Sequence, residues 1–299
     1  MKLPERMIKS FFLAARPKTL PAAVVPVWVG CVLAYHLTGT WDLRLAGLTL
    51  MGAIWIQIAT NFFNDAIDAD KGADTDARLG PVRATASGQL SRRTVYVSAI
   101  ICLMLAASCG YPLIVARGWP MVAIGLPSFY FAYGYTGGPL PLAYKGLGEL
   151  FVITFFGVVA VMGTVFVQTG EWFLEALTVG LALGCLSAVL ISINNLRDED
   201  EDRRNGKKTL AVQWGRDASL KLLWMMTLLP YALIFFILPW HHALWFGIPF
   251  LLGVMIVRWV KNTPPGRAYN KYLALAALQL VLFAMAFTMS FTIGTLIKS

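Results

Sequence analysis

Nine apolar runs, each free of Asp, Glu, Lys and Arg over close to a membrane's thickness, leave this chain few folds to adopt. They lie roughly at Thr19–Leu37, Leu45–Asn64, Val95–Val115, Trp119–Tyr135, Leu150–Val167, Ala176–Leu196, Leu222–Leu238, Ala243–Val257 and Tyr272–Ile297. About 20 helical residues cross about 30 Å of hydrocarbon, and inside lipid only a helix or a closed barrel satisfies its own backbone. A barrel strand would alternate over about ten residues. These runs are continuous, so the expectation is an all-α integral membrane protein of about nine transmembrane helices in one bundle. With 58% hydrophobic residues, and no polar stretch reaching thirty residues, residues 1–299 are expected to form a single membrane domain. The basic start MKLPERMIKSFFLAARPK, broken by Pro4 and Pro17, predicts a short surface helix rather than a cleaved leader.

Lys and Arg resist translocation, which sets the expected orientation. With the N-terminus inside, the N-terminal segment and the even-numbered loops hold 22 of the 25 basic residues, leaving Arg44, Arg117 and Lys298 outside. The net charge of +9 then belongs to cytoplasmic loops and is no nucleic-acid footprint. Cys31, Cys102, Cys109 and Cys185 lie in apolar runs without ligand spacing and read as small buried hydrophobes. His36, His241 and His242 fall at the predicted outer ends.

Two carboxylate clusters stand where long apolar runs end. Asp65, Asp68, Asp70, Asp74 and Asp76 follow the second run in NFFNDAIDADKGADTD, and Asp198 to Asp202 follow the sixth in NNLRDEDEDRRNGKK. An acid at mid-bilayer costs about 2.5–3.5 kcal/mol on insertion scales, so acids gathered at helix mouths mark function. Asn64 precedes Asp68 by four residues and Asn194 precedes Asp198 by four, an echo that suggests two like helix ends at one cavity. If the helix continues past Asn64, Asp65 and Asp68 share a face, as Asp198 and Asp202 do at four apart. Carboxylate and amide oxygens without Cys or His select a hard cation, and Mg²⁺ is the usual one held by few carboxylates plus phosphate oxygens. Asn61, Asn64, Asn194 and Asn195 add neutral oxygens. Lys71, Arg78, Arg83, Arg203, Arg204, Lys207 and Lys208 supply cations for phosphate. An organic diphosphate, ionised with pyrophosphate as leaving group, fits this set. A solvated mixed-charge loop, an ion-coupled transporter using Asp68 and Asp198, and a scaffold whose charged loops dock a partner are the competing readings.

Four stretches then carry a family likeness: ARPKTLPAAVVPVWVG at 15–30, NDAIDADKGADTDARLGPVRATASGQLS at 64–91, YTGGPLPLAYKGLGELFVITFFG at 135–157 and NNLRDEDEDRRNGKKTLAV at 194–212. The sequence resembles the UbiA superfamily of intramembrane aromatic prenyltransferases, and within it the 1,4-dihydroxy-2-naphthoate polyprenyltransferases of menaquinone synthesis. The resemblance implies a central cavity open to the cytoplasm and to lipid, in a bacterial inner membrane. It also implies Mg²⁺ on Asn64, Asp65, Asp68, Asp74, Asp198 and Asp202, holding a polyprenyl diphosphate. The family's common form has an acid eight residues after the Asn, where this chain has Gly72; Asp74 is the expected substitute. Pyrophosphate would leave an allylic cation facing aromatic rings such as Tyr130, Tyr133 or Tyr135. The naphthoate would attack through its carboxylate-bearing carbon and lose carbon dioxide, with Arg83, Lys145 or Arg16 holding the carboxylate. 4-Hydroxybenzoate, homogentisate or a chlorin are the alternative acceptors.

Overall fold

Helix ends fall where the chain offers caps. In the computed structural model, which describes residues 3–72, 79, 80 and 83–296 (side chains of 3–6, 240 and 292–296 excepted), α1 (Leu3–Ala15) leads through a turn at Pro17–Thr19 into α2 (Pro21–Thr38). Left-handed Gly39 stops α2, and Asp42 starts α3 (Leu43–Asp70) by accepting the Arg44 and Leu45 amides at 2.8 and 3.0 Å. Ser91 accepts the Thr94 amide to begin α4 (Arg92–Arg117), and α5 (Trp119–Gly134) follows after Gly118. A single span is built from α6 (Gly148–Val152), a π turn at Ile153–Val159 and α7 (Ala160–Thr169). Then come α8 (Leu174–Arg197), the short α9 (Glu199–Arg204), α10 (Leu210–Ile234), α11 (Gly247–Asn262) and α12 (Tyr269–Leu296).

Among the described residues eight spans, counting α11 together with the turn from His241 that leads into it, are long and apolar enough to cross a membrane, and the chain is an integral membrane protein. The ninth run is α5, whose 16 residues make about 24 Å of apolar helix. Among the described residues there is no strand. The two largest departures from the expected boundaries are in α3 and α10. Helix α3 runs six residues past Asn64, because Ala66 and Ile67 are buried and continue its packing face; at 28 residues it is about 42 Å long, some two turns more than hydrocarbon requires. Helix α10 starts at Leu210, well before Leu222, and bends at Gly215, whose φ of 75° suits only glycine.

The exterior is apolar: Ile100, Met104, Leu126, Phe236 and Leu251 all face outward, as lipid contact demands. Lipid tails give no hydrophobic drive to helix association, so close packing must supply it. A close backbone-to-backbone contact sets Gly157, in the π turn, against Gly180 and Gly184 of α8. A methyl at Gly157 would stand 2.3 Å from the Gly180 carbonyl oxygen and 2.5 Å from Gly184 Cα. Both obstacles are backbone, so no rotamer change relieves them. We expect Gly157→Ala to lower the unfolding midpoint in detergent, by the equivalent of about 1–3 kcal/mol, whereas Gly125→Ala, inside α5 with nothing within 4 Å, does not lower it.

Candidate active site

Asp68 sits in the last turn of α3, 4% exposed, and its two carboxylate oxygens gather side chains from three other segments. Arg83 Nη2 lies 2.7 Å from Oδ2, while the Tyr144 hydroxyl donates to Oδ1 at 3.0 Å and Lys207 Nζ approaches that oxygen to 3.4 Å. Removing a carboxylate from water costs several kcal/mol unless cations and donors replace the solvent, which is what fixes these segments here. Because Lys207 belongs to the second acidic stretch and Asp68 to the first, this contact brings the two stretches to one place. Lys71 joins them: its Nζ lies 3.8 Å above the Tyr144 ring and donates to the Thr136 carbonyl at 2.8 Å. Lys207 stands 5.0 Å over the same ring. The Asn64 amide oxygen accepts a short hydrogen bond from the Thr136 hydroxyl.

The second stretch is organised around a buried arginine. Helix α8 ends at Arg197, whose Nε and Nη2 grip the Asp198 carboxylate at 2.7 and 2.6 Å, while Nη2 also donates to Asn194 Oδ1 at 2.8 Å. Asp198 caps the helix, and the Asp202 amide donates back to the Asp198 carbonyl at 2.8 Å, keeping the two acids one turn apart. Asp202 itself is 7% exposed and accepts no side-chain hydrogen bond among the described residues. Burial, reinforced by Asp198, Asp68 and Glu201 and opposed by Lys207, pushes its carboxyl up to about 7. Negative charge here is under-neutralised, which suits a cation. The oxygens that such a cation could use are those of Asn64, Asp68, Asp198 and Asp202, a hard set. Among the described residues no three acids, histidines or cysteines close on one point, so an ion would complete its shell with ligand oxygens, the habit of Mg²⁺.

Other expected residues lie elsewhere. Asp65 is buried, but its oxygens accept the Ala84 and Thr85 amides at 3.1 and 2.8 Å, so it fastens the chain after the first motif. Asn195, about 100° round α8 from Asn194, donates to Glu149 Oε1 at 2.9 Å. Arg203 is exposed and pairs with Glu199 within α9 at 2.7 Å. Lys145 and Lys208 are exposed, held outward by the turns that carry them. Tyr130 and Tyr133 are exposed on the outer surface, whereas Tyr135 is half-buried with its hydroxyl in electrostatic reach of Asp68, Asp202, Glu149 and Arg16. Asp74 and Arg78 lie outside the described residues.

From Tyr135 a row of rings leads into the bundle: Phe151 at 5.1 Å between centroids, then Phe155 at 4.6 Å from Phe151, with Phe131 5.3 Å from Phe155. Tyr144, Arg197, Thr136 and Asn270 are site neighbours that spacing did not single out. The stretches carrying Tyr144 and Arg197 held a signal, since a basic residue inside an acid run or an aromatic in a loop is a candidate partner. Asn270, alone at the start of α12, held none.

Comparison with known proteins gives the family and the fold. The profile of the UbiA prenyltransferase family matches residues 23–278. The chain is 38% identical over 232 residues to 1,4-dihydroxy-2-naphthoate octaprenyltransferase of Mycobacterium tuberculosis, covering 76% of this chain and 78% of that protein. To the Bacillus subtilis protein of the same name it is 35% identical over 219 residues, 73% and 70% of the two chains. In fold it is similar to a UbiA homolog from Aeropyrum pernix (TM-score 0.65, 16% identity, 96% and 98% covered). It is similar also to one from Archaeoglobus fulgidus bound to GPP and Mg²⁺ (TM-score 0.60, 16% identity, 94% and 99% covered).

Arg197 is 1% exposed at its side chain, so its loss would leave the Asp198 charge buried and uncompensated. Arg197→Met is expected to destabilise by about 3–5 kcal/mol, read by denaturant titration in detergent, with Asp198→Asn in the same background restoring part of the loss.

Proposed function

The chain belongs to the UbiA prenyltransferase family, and from that membership we propose that it transfers a polyprenyl group from its diphosphate to 1,4-dihydroxy-2-naphthoate, releasing carbon dioxide and pyrophosphate. The observation that carries the reading is the 3.4 Å contact between Lys207 and Asp68, which makes one site of two acidic stretches. The reading is supported by relatives of that name at 33–38% identity. A family of enzymes leaves no room for the transporter and scaffold alternatives.

The residues divide the work by chemistry. Asp68 with the amide of Asn64, and Asp198 with Asp202, would each hold Mg²⁺, with substrate oxygens completing the shell. When bound, that ion neutralises the diphosphate and makes it a better leaving group. Arg83, Lys71 and Lys207 supply the remaining positive charge and fix the diphosphate at the end of the bundle. Tyr135, between these charges and the row of Phe151, Phe155 and Phe131, offers a ring face to the allylic carbon as positive charge develops. The apolar row lets the isoprenoid tail lie toward lipid. Attack by the ring carbon that bears the carboxylate forms the new carbon–carbon bond, and loss of carbon dioxide returns the electron pair to the ring. Arg16 lies within electrostatic reach of both Tyr135 and Asp68, which suits it to the acceptor's carboxylate. The Lys and Arg distribution supports a site on the cytoplasmic side, the bacterial relatives support an inner membrane, and a family match over residues 23–278 supports residues 1–299 as one domain.

The test is turnover by purified protein given 1,4-dihydroxy-2-naphthoate and a long prenyl diphosphate. Pyrophosphate and carbon dioxide are expected in equal amounts, abolished by EDTA and lowered about 100-fold or more by Asp68→Asn or Asp202→Asn. Pyrophosphate released only with a different phenolic acid would reassign the acceptor. No turnover by folded protein would contradict the reading.

A further inference from the structure

Asn270 opens α12, remote in sequence from both acidic stretches, yet it touches a partner from each. Its Oδ1 accepts from Arg197 Nη1 at 2.6 Å, and its Nδ2 donates to the Leu79 carbonyl at 3.0 Å. Arg197 is the residue that grips Asp198. Leu79 lies four residues before Arg83, whose guanidinium grips Asp68. The chain after the first acidic stretch is thus tied at three points: Leu79 by Asn270, Arg83 by Asp68, and the Ala84 and Thr85 amides by Asp65. Only the first of these ties reaches the other half of the site. A carboxamide is the side chain that accepts on one atom and donates on the other. Asp would keep the arm to Arg197 and lose the arm to Leu79; Ala would lose both.

We propose that Asn270 is a positioning residue that latches the chain following the first acidic stretch to the arginine of the second, setting the distance at which the Asp68–Arg83 and Asp198–Arg197 pairs face a diphosphate. This rests on the reading of the acids as a diphosphate site. Asn270 touches no reacting atom. Its effect is on how well the two halves are registered before the diphosphate arrives, and partners of this kind change affinity about 10–100-fold when lost.

The experiment compares full-length wild type, Asn270→Ala and Asn270→Asp in detergent. Amide hydrogen exchange at Ala84 and Thr85 is measured in EDTA, and KM is measured separately for the prenyl diphosphate and the aromatic acceptor. Both variants are expected to speed exchange at these two amides and to raise the diphosphate KM about 10–100-fold, while the acceptor KM and kcat stay within about threefold. Asn270→Asp, which keeps the acceptor for Arg197, decides the matter if Asn270→Ala does not fold. Wild-type exchange in Asn270→Asp overturns the latch. So does faster exchange with an unchanged diphosphate KM, or a fall in kcat with both KM values intact. A wild type that releases no pyrophosphate overturns the underlying reading instead, and is recognised because the variants then differ from it in exchange alone.

Discussion

A carboxylate buried at the end of an apolar bundle dictates much of what surrounds it. Asp68 has exchanged water for Arg83, Tyr144 and Lys207, and each partner comes from a different segment of chain. Such a group costs several kcal/mol if left unpaired, so the segments that pair it are pulled to one point. Asp198 repeats the arrangement with Arg197. Asp202 does not: it is enclosed and faces other acids, and among the described residues Lys207 is the cation named against its charge. Among the described residues the site is therefore balanced on one side and short of positive charge on the other, a condition that a divalent ion would relieve.

The bundle below serves this end in two ways. Close contact of Gly157 with Gly180 and Gly184 lets the π turn lie flat against α8, the most enclosed of the spans. A π turn carries an extra residue per turn and re-aims the side chains around it. Here those side chains include Phe151 and Phe155, which continue the ring row begun at Tyr135. Charged and apolar surfaces meet at Tyr135, as a substrate with an anionic head and an isoprenoid tail requires. The exterior needs no polar face, since lipid covers it.

Much of this was legible in the sequence, because the membrane enforces it. Apolar runs must be helices, so eight long spans and the shorter α5 followed from hydropathy alone. Acids gathered at two helix ends announced a site, and Asp68 and Lys207 meet within it. What the sequence hid was direction. Asp65 and Asp68 are three residues apart on one helix, yet one serves backbone amides and the other a cluster of cations. Asn194 and Asn195 are adjacent, and their helical offset sends one toward Arg197 and the other toward Glu149. Arg203 and Lys208, read as phosphate ligands from their place in a basic run, are turned outward by α9 and the turn after it. Asn270 shows the other limit: a tertiary contact leaves no local pattern when its partners are far along the chain.

The most direct test of the account is whether the two acidic stretches act as one site. Affinity for an unreactive prenyl thiodiphosphate, measured calorimetrically with Mn²⁺ in place of Mg²⁺, can be followed through Asp68→Asn, Asp202→Asn and the double variant. A shared site predicts strong coupling, with the double variant binding little worse than either single one. Additive losses within about 0.5 kcal/mol, the behaviour of independent sites, would contradict it.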